Sequence, residues 1–146
     1  MRDRPDVRYA HNGDVAIAYQ VFGQGPADLV CIPGFISNLY WNWELPDFSR
    51  MLTGLGSFAR VAILDRRGVG LSDRLSPQDL PPLEVVMDDI ITVMDEAGID
   101  RAAVWRSTSA PGLARSPARG RCWSAPRSKT SPRAQGWCSK TPASTS

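Results

Sequence analysis

From Asp14 to Phe22 (DVAIAYQVF) apolar and polar positions alternate, and the run closes on Gly23-Gln24-Gly25-Pro26. This pattern predicts a half-buried strand followed by a turn. Asp28 to Ile32 (DLVCI) is a short continuous apolar run stopped by Pro33-Gly34, as expected of a strand buried on both faces of a parallel sheet; a short helical segment is the alternative. Beyond Pro46, residues Phe48, Met51, Leu52 and Leu55 recur at helical spacing, with Pro46 suited to a first turn and Gly56 to the C′ position. Arg60 to Leu64 (RVAIL) is a further buried strand ending at Asp65. Leu83, Val86, Met87, Ile90, Met94 and Ala97 form the stripe of a second helix, introduced by Pro81-Pro82 and closed by Gly98, with Asp88, Asp89, Asp95 and Glu96 expected to face water. Ala102 to Trp105 opens a fourth strand. The order β-β-α-β-α-β predicts an α/β fold, a mostly parallel sheet with crossover helices.

Composition divides the chain at about residue 105. Residues 1–105 carry nine Lys and Arg against fifteen Asp and Glu, whereas residues 106–146 carry eight Lys and Arg and no acid. The first piece holds every Ile, Val, Phe, Tyr and Met; in the second, Leu113 is the sole branched aliphatic. Residues 1–105 are therefore expected to form the folded part and residues 106–146 a basic Ser/Pro/Ala/Arg-rich disordered tail, which cannot build a core of its own. No run of about 18 apolar residues exists, so no membrane span is expected. The charged start, Met1-Arg2-Asp3-Arg4, is followed by no apolar h-region, so a cytoplasmic location is expected. Cys31, Cys122 and Cys138 have neither a C-x-x-C nor regular spacing, which speaks against a disulfide framework and a zinc site; Cys31 reads as a small buried apolar residue.

Three stretches share one pattern: Tyr9-Ala10-His11-Asn12-Gly13-Asp14 with Ile17-Ala18-Tyr19, then Leu29 to Phe35 (LVCIPGF), then Asp65-Arg66-Arg67-Gly68-Val69-Gly70-Leu71-Ser72. Over about residues 8–105 the chain resembles the N-terminal half of an α/β-hydrolase. More narrowly, it is similar to the hydrolase-like domains that actinobacteria often fuse to a nucleotide cyclase domain. The resemblance implies cofactor-independent hydrolysis of esters or related acyl compounds, with a small-molecule ester-type substrate and no metal or cofactor.

Within that resemblance, Pro33-Gly34-Phe35 corresponds to the oxyanion loop, where a backbone N–H stabilises the anion that develops as an acyl carbonyl is attacked. Phe35 is the expected donor, and Gly34 would permit the turn that aims it. A plain strand-to-loop turn is the alternative. Asp65, Arg67, Gly68, Gly70 and Ser72 are expected to be structural, the two glycines reversing the chain and Arg67 anchoring to Asp65 by a charge-assisted hydrogen bond. Gly68-Val69-Gly70 lacks the third glycine or Gly-Lys-Ser/Thr of a phosphate loop, so no nucleotide site is expected. Tyr40, Trp41 and Trp43 either line an acyl pocket or serve as packing, and packing is favoured.

The nucleophile is where the chain departs from the family, which presents it on a strained G-x-S-x-G turn. After Trp105 comes Arg106-Ser107-Thr108-Ser109-Ala110-Pro111. Aligned on the strand end, Arg106 takes the first glycine place, Thr108 the nucleophile's and Ala110 the second glycine's, and such side chains crowd a turn that needs small residues. The sole histidine, His11, precedes the nucleophile position, whereas the family places its histidine after it; His11 is expected in a surface turn. No complete triad is expected, and the chain reads as inactive.

The tail supports a reading from another class. Arg115, Arg119, Arg121, Arg127, Lys129, Arg133 and Lys140, interleaved with Trp123 and Trp137, could make a non-catalytic binding protein that contacts nucleic acid or an anionic surface. No recognised nucleic-acid module surrounds these residues, so nucleic acid is not the favoured partner. The abrupt loss of acids and branched aliphatics after residue 105 instead points to a reading-frame shift. Codons that encode Ser124 to Ser131 can be chosen so that the neighbouring frame restores acidic and branched aliphatic residues together; a genuine low-complexity tail is the alternative.

Overall fold

The computed structural model describes residues 4–34, 37–76, 78–106 and 121–124. These form a six-stranded sheet in the order β1-β2-β4-β3-β5-β6. The strands are β1 Arg8–Asn12, β2 Val15–Phe22, β3 Ala27–Ile32, β4 Ala59–Leu64, β5 Arg101–Arg106 and β6 Arg121–Ser124; the helices are α1 Trp41–Glu44, α2 Pro46–Gly56 and α3 Leu83–Glu96. The centre is parallel, β4 and β5 both pairing with β3, while β2 runs antiparallel to β4 and β1 antiparallel to β2. Most of the tail lies outside the described residues. Its described residues are Arg106, which ends β5, and β6, which pairs antiparallel with β5 in a stretch where composition predicts no strand.

Alternation along the central strands explains why helices are needed on both faces. Val30 and Ile32 of β3, and Ala62 and Leu64 of β4, point into a core closed by Ile90, Val93 and Met94 of α3. The intervening Cys31, Val61 and Ile63 point the other way, onto Leu39, Leu52 and the flanking Trp43, Phe48 and Met51 around α1 and α2. Two-sided burial is what continuous apolar strands demand. Among the described residues no helix is long and apolar enough to cross a membrane.

Local signals account for most boundaries. Pro46 begins α2 from an extended Leu45. Gly98, at φ 65°, ends α3: the Ile99 amide donates to Met94 O at 2.9 Å and the Gly98 amide to Asp95 O at 3.1 Å, with Ile99 buried beneath. Gly56, by contrast, remains inside α2 and Ser57 caps it, its hydroxyl donating to Gly54 O at 2.7 Å. β2 is more deeply buried than its alternation suggests, since even Gln20 has no exposed surface. Its amide donates to Pro5 O at 2.7 Å and its carbonyl accepts from Trp43 Nε1 at 2.9 Å, so the polar group is satisfied internally. β1 lacks a sequence periodicity because only Ala10 is buried. Its signal is the hairpin turn at Gly13-Asp14, with Gly13 at φ 63° in the first central position.

Burial pushes the Cys31 thiol up to about 12, from 9.0. The unfolded chain therefore loses this proton at lower pH than the folded one, and stability falls as pH rises from about 9 towards 12. The slope attributable to Cys31 is at most about 1.4 kcal/mol per pH unit. Urea titrations across that range should show a shallower alkaline loss in Cys31→Ala than in the unchanged chain; parallel curves would contradict the assignment.

Candidate functional site

The carboxyl ends of parallel strands are where an α/β sheet presents ligands, at the point where successive connections leave in opposite directions. Here β3 connects through α1 and α2 to β4 on one side, whereas β5 lies on the other side of β3. Gly34 and Arg106 flank that crevice, Arg106 standing in register with Ile32.

At the end of β4 the chain meets Asp65, whose side chain has no exposed surface. One carboxylate oxygen accepts from Ser37 Oγ at 2.5 Å; the other accepts from the backbone amides of Leu39 at 3.1 Å and Leu71 at 2.9 Å. Asn42 Nδ2 also donates to Ser37 Oγ, at 3.4 Å. A single carboxylate thus ties the loop after β3 to the loop after β4. Ser72 completes the second loop: its hydroxyl donates to Asp65 O at 2.6 Å and accepts from the Ala18 amide at 2.8 Å, extending the pairing of β2 beyond Leu64. Gly68 and Gly70, at φ 79° and 57°, make the reversal between them. At Gly70 a Cβ would collide with the Asp65 carboxylate and the Ser37 carbonyl.

Two expectations about charge are corrected. Arg67 does not pair with Asp65, which already has three donors; it makes a two-pronged ion pair with Asp89, Nε to Oδ2 at 2.6 Å and Nη2 to Oδ1. Asp89 accordingly faces the protein rather than water: it is 2% exposed and also accepts from Asn12 Nδ2 at 2.8 Å. The pairing raises the Arg67 pKa, the hydrogen bond that Arg67 donates to Asp89 being the main cause. His11 lies exposed on β1 opposite Ala16, not in a turn.

Phe35, the expected oxyanion donor, lies outside the described residues, as do Ser107, Thr108, Ser109 and Ala110. The aromatic trio divides. Trp43 is packing, edge-on to Phe22 at 5.1 Å between ring centroids. Tyr40 and Trp41 are exposed, and Arg4 covers the Tyr40 ring at 4.5 Å. Gln20 and Ser37 are polar elements of this region that pattern reading missed, because a buried polar residue leaves no periodic trace.

No protein-family model and no curated protein sequence matches the chain. Solved structures do. An epoxide hydrolase from Vigna radiata superimposes with a TM-score of 0.56 at 16% identity, over 70% of this chain and 32% of that one. An α/β-hydrolase fold protein from Chitinophaga pinensis gives 0.55 at 22% identity, over 71% and 35%, and a meta-cleavage product hydrolase gives 0.53 at 27%, over 68% and 34%. The chain has the α/β-hydrolase fold. It spans about a third of the length of these hydrolase-fold structures. Within the α/β-hydrolase fold, the Asp65 clamp sits at the carboxyl edge of the sheet, at the end of β4, and holds Ser37 and Leu39 of the loop after the Pro33-Gly34 strand stop.

Removing the clamp leaves three donors unsatisfied in the interior. Asp65→Ala is expected to destabilise the chain by about 3 kcal/mol or more, and Asp65→Asn, which keeps one acceptor, by less. Gly70→Ala should cost a comparable amount through positive φ and collision with the same carboxylate. Equilibrium urea unfolding reads all three; losses within about 0.5 kcal/mol of zero would contradict the clamp.

Proposed function

We propose that the chain corresponds to the N-terminal half of a cofactor-independent hydrolase of esters or related acyl compounds, and that it does not itself turn over substrate. The observation that carries the reading is the Asp65 clamp. It fixes the loop that follows Gly34 and Phe35 against the sheet edge, through Ser37 and Leu39, and a fixed loop is what an oxyanion donor requires, because preorganised dipoles act without reorganising. In this reading Phe35 supplies the N–H and Gly34 the turn, while Asp65, Gly68, Gly70 and Ser72 shape the loops and Arg67 braces them through Asp89. The finer likeness to hydrolase-like domains fused to nucleotide cyclases, the small-molecule substrate and a cytoplasmic location belong to the same proposal.

Inactivity follows from two residues. Arg106 stands at the end of β5, where the elbow needs a small residue. His11 is on β1, separated from β5 by β2, β4 and β3; at about 4.8 Å per strand that is about 19 Å, far beyond proton-transfer reach. Turnover of short-chain p-nitrophenyl esters should therefore equal that of buffer containing an unrelated protein. Turnover abolished by Ser107→Ala or Ser109→Ala would overturn the proposal.

The change in composition after residue 105 is part of the reading: residues 106–146 are the parent gene translated in a shifted frame. Sequencing the genomic DNA on both sides of codon 106 tests this. The alternative frames should contain a G-x-S-x-G-like turn and further strand and helix periodicity; their absence would leave the tail to be explained as a basic segment in its own right.

A further inference from the structure

The two flanks of the sheet are built differently. On one, β1 presents Arg8 and His11 to solvent and buries only Ala10; short length and charged side chains are among the devices that keep an edge strand from pairing with another molecule. On the other, β5 is six residues long, and its stretch Ala102-Ala103-Val104-Trp105 contains neither charge nor proline. Such an edge is a template for strand addition. β6 lies on it, antiparallel, with Arg101 opposite Ser124 and Val104 opposite Arg121. The cover is slight. β6 is four residues long, has β5 as its single neighbour in the sheet, and stops short of Trp105 and Arg106. A strand held by one ladder at the sheet margin opens locally at little cost. What β5 meets when β6 lifts follows from its own sequence.

We propose that β6 shields a self-association surface: when it lifts, β5 pairs antiparallel with β5 of a second copy of this chain. Two identical antiparallel strands are related by a twofold axis, so the same patch serves both copies. The register with Ala103 opposite its own counterpart sets Arg101 across from Trp105 and Ala102 across from Val104. A cation then meets an aromatic ring and a small residue meets a β-branched one. The neighbouring register, centred between Ala103 and Val104, sets Arg101 against Arg106 and is opposed by like charge. The surface requires neither nucleophile nor histidine, so it goes beyond the hydrolytic reading and is tested separately from it.

Sedimentation velocity of the full chain over a concentration series tests this. The unchanged chain should remain monomeric. The double variant Cys122→Pro, Trp123→Pro removes two backbone N–H groups from β6 and leaves β1 to β5 untouched; it should form a dimer of finite size, with a dissociation constant at least about tenfold below that of the unchanged chain. Adding Ala103→Lys, at an exposed position of β5, sets two lysines face to face at the twofold axis and should return the double variant to monomer. Adding Ala103→Ser instead introduces no charge and should keep the dimer. A dimer already formed by the unchanged chain, a monomeric double variant, or association that persists after Ala103→Lys, as unspecific aggregation would, each overturns the proposal.

Discussion

A carboxylate removed from water must be surrounded by donors, and the geometry of this molecule follows from how Asp65 meets that demand. Its three partners come from two loops that are remote in sequence, Ser37 and Leu39 on one and Leu71 on the other. Because an unpaired buried charge costs several kcal/mol, neither loop can move away without the other losing its anchor. The same constraint dictates Gly70, whose missing side chain leaves room for the carboxylate. It also explains Ser72, which connects the Asp65 carbonyl to β2 where the regular ladder ends.

A second buried charge works at longer range. Asp89 joins Asn12 on β1, Arg67 on the loop after β4 and α3 itself, so the hairpin, the loop and one helix share one polar junction. Elsewhere Arg60 grips Asp28 across β4 and β3, at 2.6 and 3.0 Å, and its pKa is raised by that hydrogen bond. The last pair is partly open to water, and its contribution is correspondingly small. The Arg67–Asp89 pair is enclosed, so its value lies in register: breaking one side strands the other. Together the two junctions hold the carboxyl edge of the sheet.

The fold was legible where side-chain pattern and burial coincide. Leu29 to Ile32 and Val61 to Leu64 are continuous apolar runs because both faces are covered, and Leu83 to Met94 shows its stripe because only one face is. β1 was illegible since a single residue, Ala10, is buried, although the glycine of its hairpin turn was in view. The short α1 escaped because its start is capped by Asn38 Oδ1, which accepts from the amides of Tyr40 and Trp41 at 3.0 and 3.3 Å, and not by any periodic stripe. In the site, the motif around Asp65 was visible but its partners were not. Arg67 is closer in sequence to Asp65 than to Asp89, and sequence proximity suggested the wrong pair. Tertiary approach of α3 decides the matter, and composition is blind to it. Asp89 illustrates the general difficulty: an acid on a helix reads as solvent-facing until an arginine from another element arrives.

The central claim is that one carboxylate couples two loops into a single unit at the sheet edge. Native-state hydrogen exchange of the Leu39 and Leu71 amides tests it most directly, since both donate to the same oxygen. The account predicts that both amides are protected and that Asp65→Asn accelerates both together, while the Ile99 amide at the end of α3 keeps its rate. Unprotected amides in the unchanged chain, or acceleration of one without the other, would contradict it.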